Sequence, residues 1–90
     1  SEGAFAVIVT SRAMELRGIV PGDSLVCEPI AVQKPKEGGV VIYAADHTEK
    51  LEVGVWQDPW IIHHTSQNMP AIKASEATIV AVAVDLRRAL

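Results

Sequence analysis

The stretch Thr10–Pro29, TSRAMELRGIVPGDSLVCEP, decides how this chain folds. The apolar run AFAVIVT at Ala4–Thr10 leads into it and predicts a short strand. The sequence VPGD at 20–23 predicts a turn, because proline fixes φ and glycine tolerates a positive φ. The residues after that turn predict a second strand over Ser24–Glu28. Between the two strands lies a connection with room for one short helical turn over Ala13–Arg17.

The rest of the chain continues this alternation of short apolar runs with glycine or proline turns. Further strands are predicted over Val40–Ala44, Glu49–Trp56, Trp60–Thr65 and Thr78–Leu86. No long amphipathic helix pattern and no internal repeat interrupts them. The sequence therefore predicts a single mainly β domain, 1–90, of twisted antiparallel sheets with at most one short helical turn.

Composition is that of a compact globular domain. The 90 residues are 49% hydrophobic and 21% charged, which suits one folded domain. A net charge of −3, with scattered Lys and Arg, excludes a large phosphate-binding face. No run reaches the roughly 18 apolar residues that span a bilayer. The single cysteine, Cys27, fits a reducing compartment, and its apolar setting predicts a buried, inert thiol.

Five segments of the chain follow one another in a characteristic order. They are SRAM at 11–14, GDSLVCEP at 22–29, PKEGGVVIY at 35–43, NMPAI at 68–72 and the valine-rich Ile79–Val84. In this order they resemble the C-terminal domains of LexA and of the phage CI repressors, which share their fold with signal-peptidase-like serine proteases. The resemblance covers nearly the whole chain and implies the small β fold of that family.

The same resemblance implies a serine–lysine catalytic pair, and the chain lacks both partners. Met14 sets the register, so the nucleophile position falls on Ala13, which has no nucleophilic side chain. The lysine position falls at or near Glu52. A serine–lysine mechanism requires a hydroxyl beside a desolvated, neutral lysine. We therefore expect no catalytic residues, and we interpret the loss as natural rather than engineered.

An alternative pair lies two residues earlier at each position. Because strand side chains repeat every two residues, Ser11 and Lys50 would face the same side as the missing pair. The alternative function is accordingly a LexA-like self-cleaving serine protease that uses Ser11 and Lys50, or an inactivated form of one. Alkaline pH distinguishes the two hypotheses, because it deprotonates the lysine of active members. A third hypothesis is an unrelated small β-barrel binding domain.

The remaining candidates for chemistry do not form a recognisable site. Adjacent His63 and His64 on a strand point to opposite faces, and His47 lies in a predicted hairpin turn. No cysteine or carboxylate completes a ligand set around these histidines. The Gly38-Gly39 pair lacks the Lys-Ser/Thr and the helix that follow in a phosphate-binding loop. We expect neither a metal ion nor a cofactor.

The last strand predicts a contact surface. The run IVAVAV at 79–84 is apolar on both faces, which favours a dimer-interface strand over the alternative of a wholly internal one. Trp56 and Trp60 flank Asp58-Pro59, and they either fill the core or mark a contact surface. The predicted oligomer interface comprises Ile79, Val80, Ala81, Val82, Val84, Leu86, Trp56 and Trp60.

These features together predict the C-terminal oligomerisation domain of a temperate-phage CI-type repressor, closest to the non-cleaving P2-related and 186-like group. The resemblance implies homodimers and higher oligomers, cooperative operator binding and maintenance of lysogeny in the cytoplasm of a bacterial host. It implies DNA contact only through an N-terminal helix-turn-helix domain, and induction by a partner such as an antirepressor protein. Because the chain starts almost inside a strand without an initiator Met, we expect it to be a fragment.

Overall fold

The computed structural model describes residues 3–46 and 48–88, and within them the chain is mainly β, as predicted. The strands are β1 (Phe5–Ile8), β2 (Ser24–Pro29), β3 (Val40–Ala45), β4 (Leu51–Gln57), β5 (Trp60–Ile62), β6 (Ile72–Lys73) and β7 (Ala77–Arg87). The helical elements of this described part are two 3₁₀ turns, at Glu15–Arg17 and Ala74–Glu76. The sequence predicts only the first of these turns and misses β6, because two or three residues carry no periodic signal.

All strands of the described part pair antiparallel in one sheet, in the order β1-β2-β7-β3-β4-β5-β6. β7 has 11 residues and lies inside the sheet, where it pairs with β2 along one edge and with β3 along the other. The register shifts once in each of these two pairings, and such bulges increase the local twist of a sheet. Both edges of β7 are therefore paired within the sheet, and the predicted interface, which requires a face of this strand, stays a prediction.

One face of the sheet carries the main core. Small and branched side chains of β2, β3, β4 and β7 pack there beneath the connection between β1 and β2. The buried members of this main core are Val9, Ala13, Met14, Ile19, Leu25, Cys27, Ile42, Val53, Val55 and Ala81. Ala13 and Met14 are each 1% exposed, so the segment that resembles a nucleophile loop is a cover of the core.

A smaller cluster, the minor core, lies on the opposite face of β3. Its buried members are Val41, Tyr43 and Ile61, and side chains alternate along a strand, so Val41 and Tyr43 point away from Ile42. Gly54 of β4 belongs to the same contact. A Cβ at Gly54 would lie 2.5 Å from Cγ2 of Ile61 and 3.2 Å from Cε1 of Tyr43. The absence of a side chain at this position lets the minor core close against β4.

A charged pair fastens the end of β7 to the turn before β2. Asp23 is 2% exposed, and its two carboxylate oxygens accept hydrogen bonds of 2.8 Å from Nε and Nη2 of Arg88. The backbone N–H of Val20 donates a third bond, of 2.9 Å, within the VPGD turn. The hydrogen bonds from Arg88, and then from Val20, lower the pKa of Asp23 to about 2. The ion pair between Asp23 and Arg88 thus also stabilises the turn that proline and glycine predict.

We expect Asp23 to make the domain sensitive to acid. Folding lowers the pKa of this carboxyl from 3.8 to about 2, so its contribution to stability is present above pH 3.8 and is lost as the pH falls through about 2. Asp23→Asn should lower the urea midpoint at neutral pH and remove this acid-dependent loss. Urea denaturation at several pH values checks the prediction. Asp85→Asn is the matched control, because the Asp85 side chain is 57% exposed; an identical acid dependence in wild type and D23N would contradict it.

Of the helical segments in the described part of the chain, none has the length and hydropathy that crossing a bilayer requires.

Candidate functional site

The two positions that correspond to a serine–lysine pair do not meet. Ala13 lies in the main core, whereas Glu52 is directly opposite Tyr43 in the β3–β4 pairing and shares the face of the minor core. The β4 side chains that face the main core are Val53 and Val55. A shift of one residue along a strand moves a side chain to the other face. Glu52 and Ala13 therefore lie on opposite faces of the sheet and do not form a pair.

The alternative pair of Ser11 and Lys50 is not assembled as a dyad. The Ser11 hydroxyl accepts the backbone N–H of Ala13 at 3.4 Å, a local bond within the connection. The Lys50 side chain is 70% exposed, and its Nζ lies 3.6 Å from Oε1 of Glu52. A general-base lysine has to be desolvated, and Lys50 is in water beside a carboxylate. This geometry does not support self-cleavage through Ser11.

The structure places the other polar candidates from the sequence in separate environments. No three His, Cys, Asp or Glu side chains among residues 3–46 and 48–88 are grouped to hold a metal ion, and His47 lies outside the described residues. Cys27 is completely buried, and burial raises the pKa of its thiol to about 11. The prediction of a buried thiol is confirmed. The backbone carbonyl of His64 accepts the N–H of Leu16 at 2.9 Å and ties the β1–β2 connection down.

A cavity of about 300 Å³ opens beside the minor core, and it gathers polar groups that are distant in sequence. Its size lies at the lower end of small-molecule sites. The lining residues are Tyr43, Ala45, Thr48, Glu52, His63, Asn68, Met69, Pro70 and Ile72. Strands β3 and β4 supply one wall, and the residues between β5 and β6 supply the other.

Tyr43 and His63 form the hydrogen bond at the base of this cavity. The Tyr43 hydroxyl lies 2.7 Å from Nε2 of His63, and Tyr43 is 1% exposed. Burial lowers the pKa of His63, and the carbonyl groups of Met69 and Pro70 and the charge of Glu52 oppose that shift. Burial and then Glu52 raise the pKa of Tyr43 to about 12. At neutral pH the two rings are therefore an uncharged imidazole and a phenol, which suit positioning and not nucleophilic attack.

His63 also carries an unsatisfied group. Its Nδ1 is buried and has no hydrogen-bond partner in the described part of the chain. The carbonyl groups of Met69 and Pro70 are close enough to raise the pKa of His63 but do not meet hydrogen-bond geometry with Nδ1. Buried polar atoms without a partner are rare in native proteins and frequently mark functional sites. The sequence does not single out His63 beyond the two other histidines, because its partner Tyr43 lies 20 residues earlier.

The predicted interface residues divide into covered and exposed ones. Ala81 is 0% exposed and Val82 is 5% exposed, so the chain itself covers both and neither offers a surface to a partner. Val84 and Leu86 are 46% and 39% exposed. Half-buried positions make up most of the remainder: Ile79, Val80 and Trp56.

The two tryptophans have different environments. Trp56 is half-buried and packs against the minor core. Trp60 is 41% exposed, and the ammonium group of Lys73 lies 5.9 Å from its ring centroid. The core alternative stated from the sequence thus describes Trp56, whereas Trp60 is exposed and its role in a contact surface stays a prediction.

Exposed apolar side chains gather at one end of β1, β2 and β7. Ile8 is directly opposite Ser24, and Ser24 is directly opposite Arg87, next to Leu86. The turn that begins at Val20 adjoins the same strand ends. Leu86 is directly opposite Leu25 of the main core, whereas Ile8 follows Val7 and therefore faces the other side of the sheet. Ile8, Val20, Val84 and Leu86 are 57%, 38%, 46% and 39% exposed.

No family model matches this sequence, and no curated protein matches it. Functional assignment therefore depends on the cavity and the surfaces of the chain itself.

Proposed function

We propose that this chain is a self-association domain, the proteolytically inactive oligomerisation module of a temperate-phage CI-type repressor. The order of its sequence segments supports the repressor part of the proposal. The edge of β1 that no described strand covers carries the self-association part. Association of two copies would bring two DNA-reading heads, on an N-terminal domain, to one operator in the bacterial cytoplasm. Contacts between dimers would extend repression cooperatively over several operators and maintain lysogeny.

The two edges of the sheet differ in how they are protected. β6 ends the sheet on one side, and it is two residues long and contains Lys73. β1 ends it on the other side with FAVI, four residues without a charge or a proline. Native proteins protect an open edge with short strands, lysines or prolines, since free N–H and C=O groups attract other strands. β1 has only its shortness as protection, which supports a partner strand there.

A second copy of the chain is the partner that suits this edge. Two β1 strands that pair antiparallel are related by a two-fold axis, the symmetry of most homodimers. Such pairing would bring Ile8 of each copy toward the interface. Burial of a large aliphatic side chain contributes about 1.5–3 kcal/mol, so Ile8 at 57% exposure has much to gain from a partner.

Sedimentation equilibrium over a wide range of protein concentrations tests the proposal. We expect wild type to dimerise and Ile8→Lys to weaken dimerisation at least about tenfold, since a lysine at an edge strand opposes pairing. Leu51→Lys is the matched control: Leu51 is 44% exposed and lies on β4, away from β1 in the sheet. It should dimerise as wild type does. Monomeric wild type at high micromolar concentration, or equal losses in both variants, would contradict the proposal.

A further inference from the structure

The cavity beside Tyr43 and His63 has apolar walls. Met69, Pro70 and Ile72 line it together with Ala45, and the cavity is open to solvent on one side. An aliphatic chain of a few carbons fits a volume of about 300 Å³ and would replace water against these walls. The walls therefore favour a ligand with a short hydrocarbon part.

Glu52 supplies the charged group of the cavity, and it is available to a ligand. Its side chain is 24% exposed, and no described residue donates a hydrogen bond to its carboxylate. Its ion-pair partner, Lys50, is 70% exposed at a distance of 3.6 Å. Such surface pairs contribute little to stability, so a ligand can replace Lys50 at small cost. The Lys50 contact also demonstrates that an ammonium group can approach this carboxylate.

The other polar groups of the lining are neutral, and two of them accept hydrogen bonds. Asn68 offers a side-chain oxygen, and the Thr48 hydroxyl, which already accepts the backbone N–H of Lys50 at 3.0 Å, has a second acceptor lone pair. An ammonium group has three N–H donors to satisfy. Burial lowers the pKa of His63, so its imidazole adds no positive charge at neutral pH. The sign of the cavity is thus set by Glu52.

A neighbouring cavity strengthens this negative potential. It shares Ala45 and Ile72 with the first cavity and is also lined by Asp46 and Glu76. Charges of one sign around a cleft raise the local concentration of ligands with the opposite sign. An anionic ligand of equal size would be repelled there.

We infer that this cavity binds a small alkylammonium ion, a primary amine on a short aliphatic chain, with the ammonium group at Glu52 and the chain against Met69 and Ile72. The site is independent of the β1 edge and of self-association.

Amide chemical shifts of the isotope-labelled chain, titrated with n-butylammonium, test the site. We expect saturable shifts around Tyr43, Glu52 and Ile72 with a millimolar Kd, as is usual for so small a ligand. Butyrate and butanol, which keep the chain but change the charge, should bind at least about tenfold more weakly. Equal shifts with all three compounds, or no saturable shifts with butylammonium, would overturn the inference.

Two variants separate the charge from the cavity. Glu52→Gln keeps the shape of the side chain and should weaken butylammonium binding about tenfold, whereas Glu49→Gln, outside the lining, should leave it unchanged. Ala45→Leu fills the cavity without a change of charge and should also abolish saturable binding. Unfolding midpoints of each variant identify any loss that is due to misfolding. Undiminished binding in folded E52Q or folded A45L would overturn the inference.

Discussion

Gly54→Ala should destabilise the domain by about 3 kcal/mol, at the upper end of the roughly 1–3 kcal/mol that overpacking a core typically costs. An added Cβ would lie 2.5 Å from Cγ2 of Ile61 and 3.2 Å from the backbone oxygen of Ile62. These neighbours lie on β5, which pairs with β4, so the clash can be relieved only by a shift of the minor core. Urea denaturation of wild type and variant measures the difference in the free energy of unfolding.

Two further variants make this prediction specific to the clash. Gly18→Ala should cost only about 1–2 kcal/mol, because its φ of +81° strains an alanine while no atom lies within 4 Å of the new Cβ. Ile61→Leu removes Cγ2, so Gly54→Ala should cost less in that background than in wild type. Equal costs of G54A in the two backgrounds would refute the proposed contact with Ile61.

Tyr43→Phe should lower the free energy of unfolding by about 2 kcal/mol, because it leaves the buried Nε2 of His63 without its partner. His63 then has two unsatisfied ring nitrogens, since Nδ1 already lacks a hydrogen bond in the described part of the chain. Removal of both partners is much less costly than removal of one. The double variant Tyr43→Phe/His63→Leu should therefore be more stable than Tyr43→Phe alone. A double variant that is less stable than both single variants would contradict this account.

The same pair has a pH signature. Burial lowers the pKa of His63 below its ordinary value of 6.5, so the unfolded chain binds a proton more readily than the folded one. Stability associated with His63 is therefore present above pH 6.5 and decreases as the pH falls below it. The His63→Leu background should lack this decrease, and the loss near pH 2–4 that is due to Asp23 should remain in it.

Local sequence signals predict most strands in their order along the chain, but they predict the ends of the strands less accurately. Alternation of apolar runs and turn residues predicts Val40–Ala44, which is extended in the structure to Ala45. It predicts Trp60–Thr65, whereas β5 ends at Ile62. His63, the residue after β5, forms a side-chain hydrogen bond with Tyr43, a contact that no local pattern contains. β6 pairs with β5 for two residues only and is specified by its neighbour strand.

The candidate site was not readable from the chain, because register decides which side chains meet. Glu52 and Val53 are adjacent in sequence, yet one faces the cavity and the other faces the main core. The apolar run at 79–84 predicts buried side chains, and Ala81 and Val82 are buried. The chain itself covers these two positions, without a partner. An apolar pattern indicates that a face is covered and does not indicate by what.

The stretch Thr10–Pro29 by itself determined a proline–glycine turn and the strand that follows it, and it determined that no nucleophile stands at Ala13. These are consequences of local backbone preference and of side-chain chemistry, which each residue carries with it. Only the tertiary structure decided that Asp23 of that turn is bound by Arg88 from the far end of the chain. It also decided that Ala13 lies across the sheet from Glu52, because strand pairing sets register and a register shift of one residue reverses the faces.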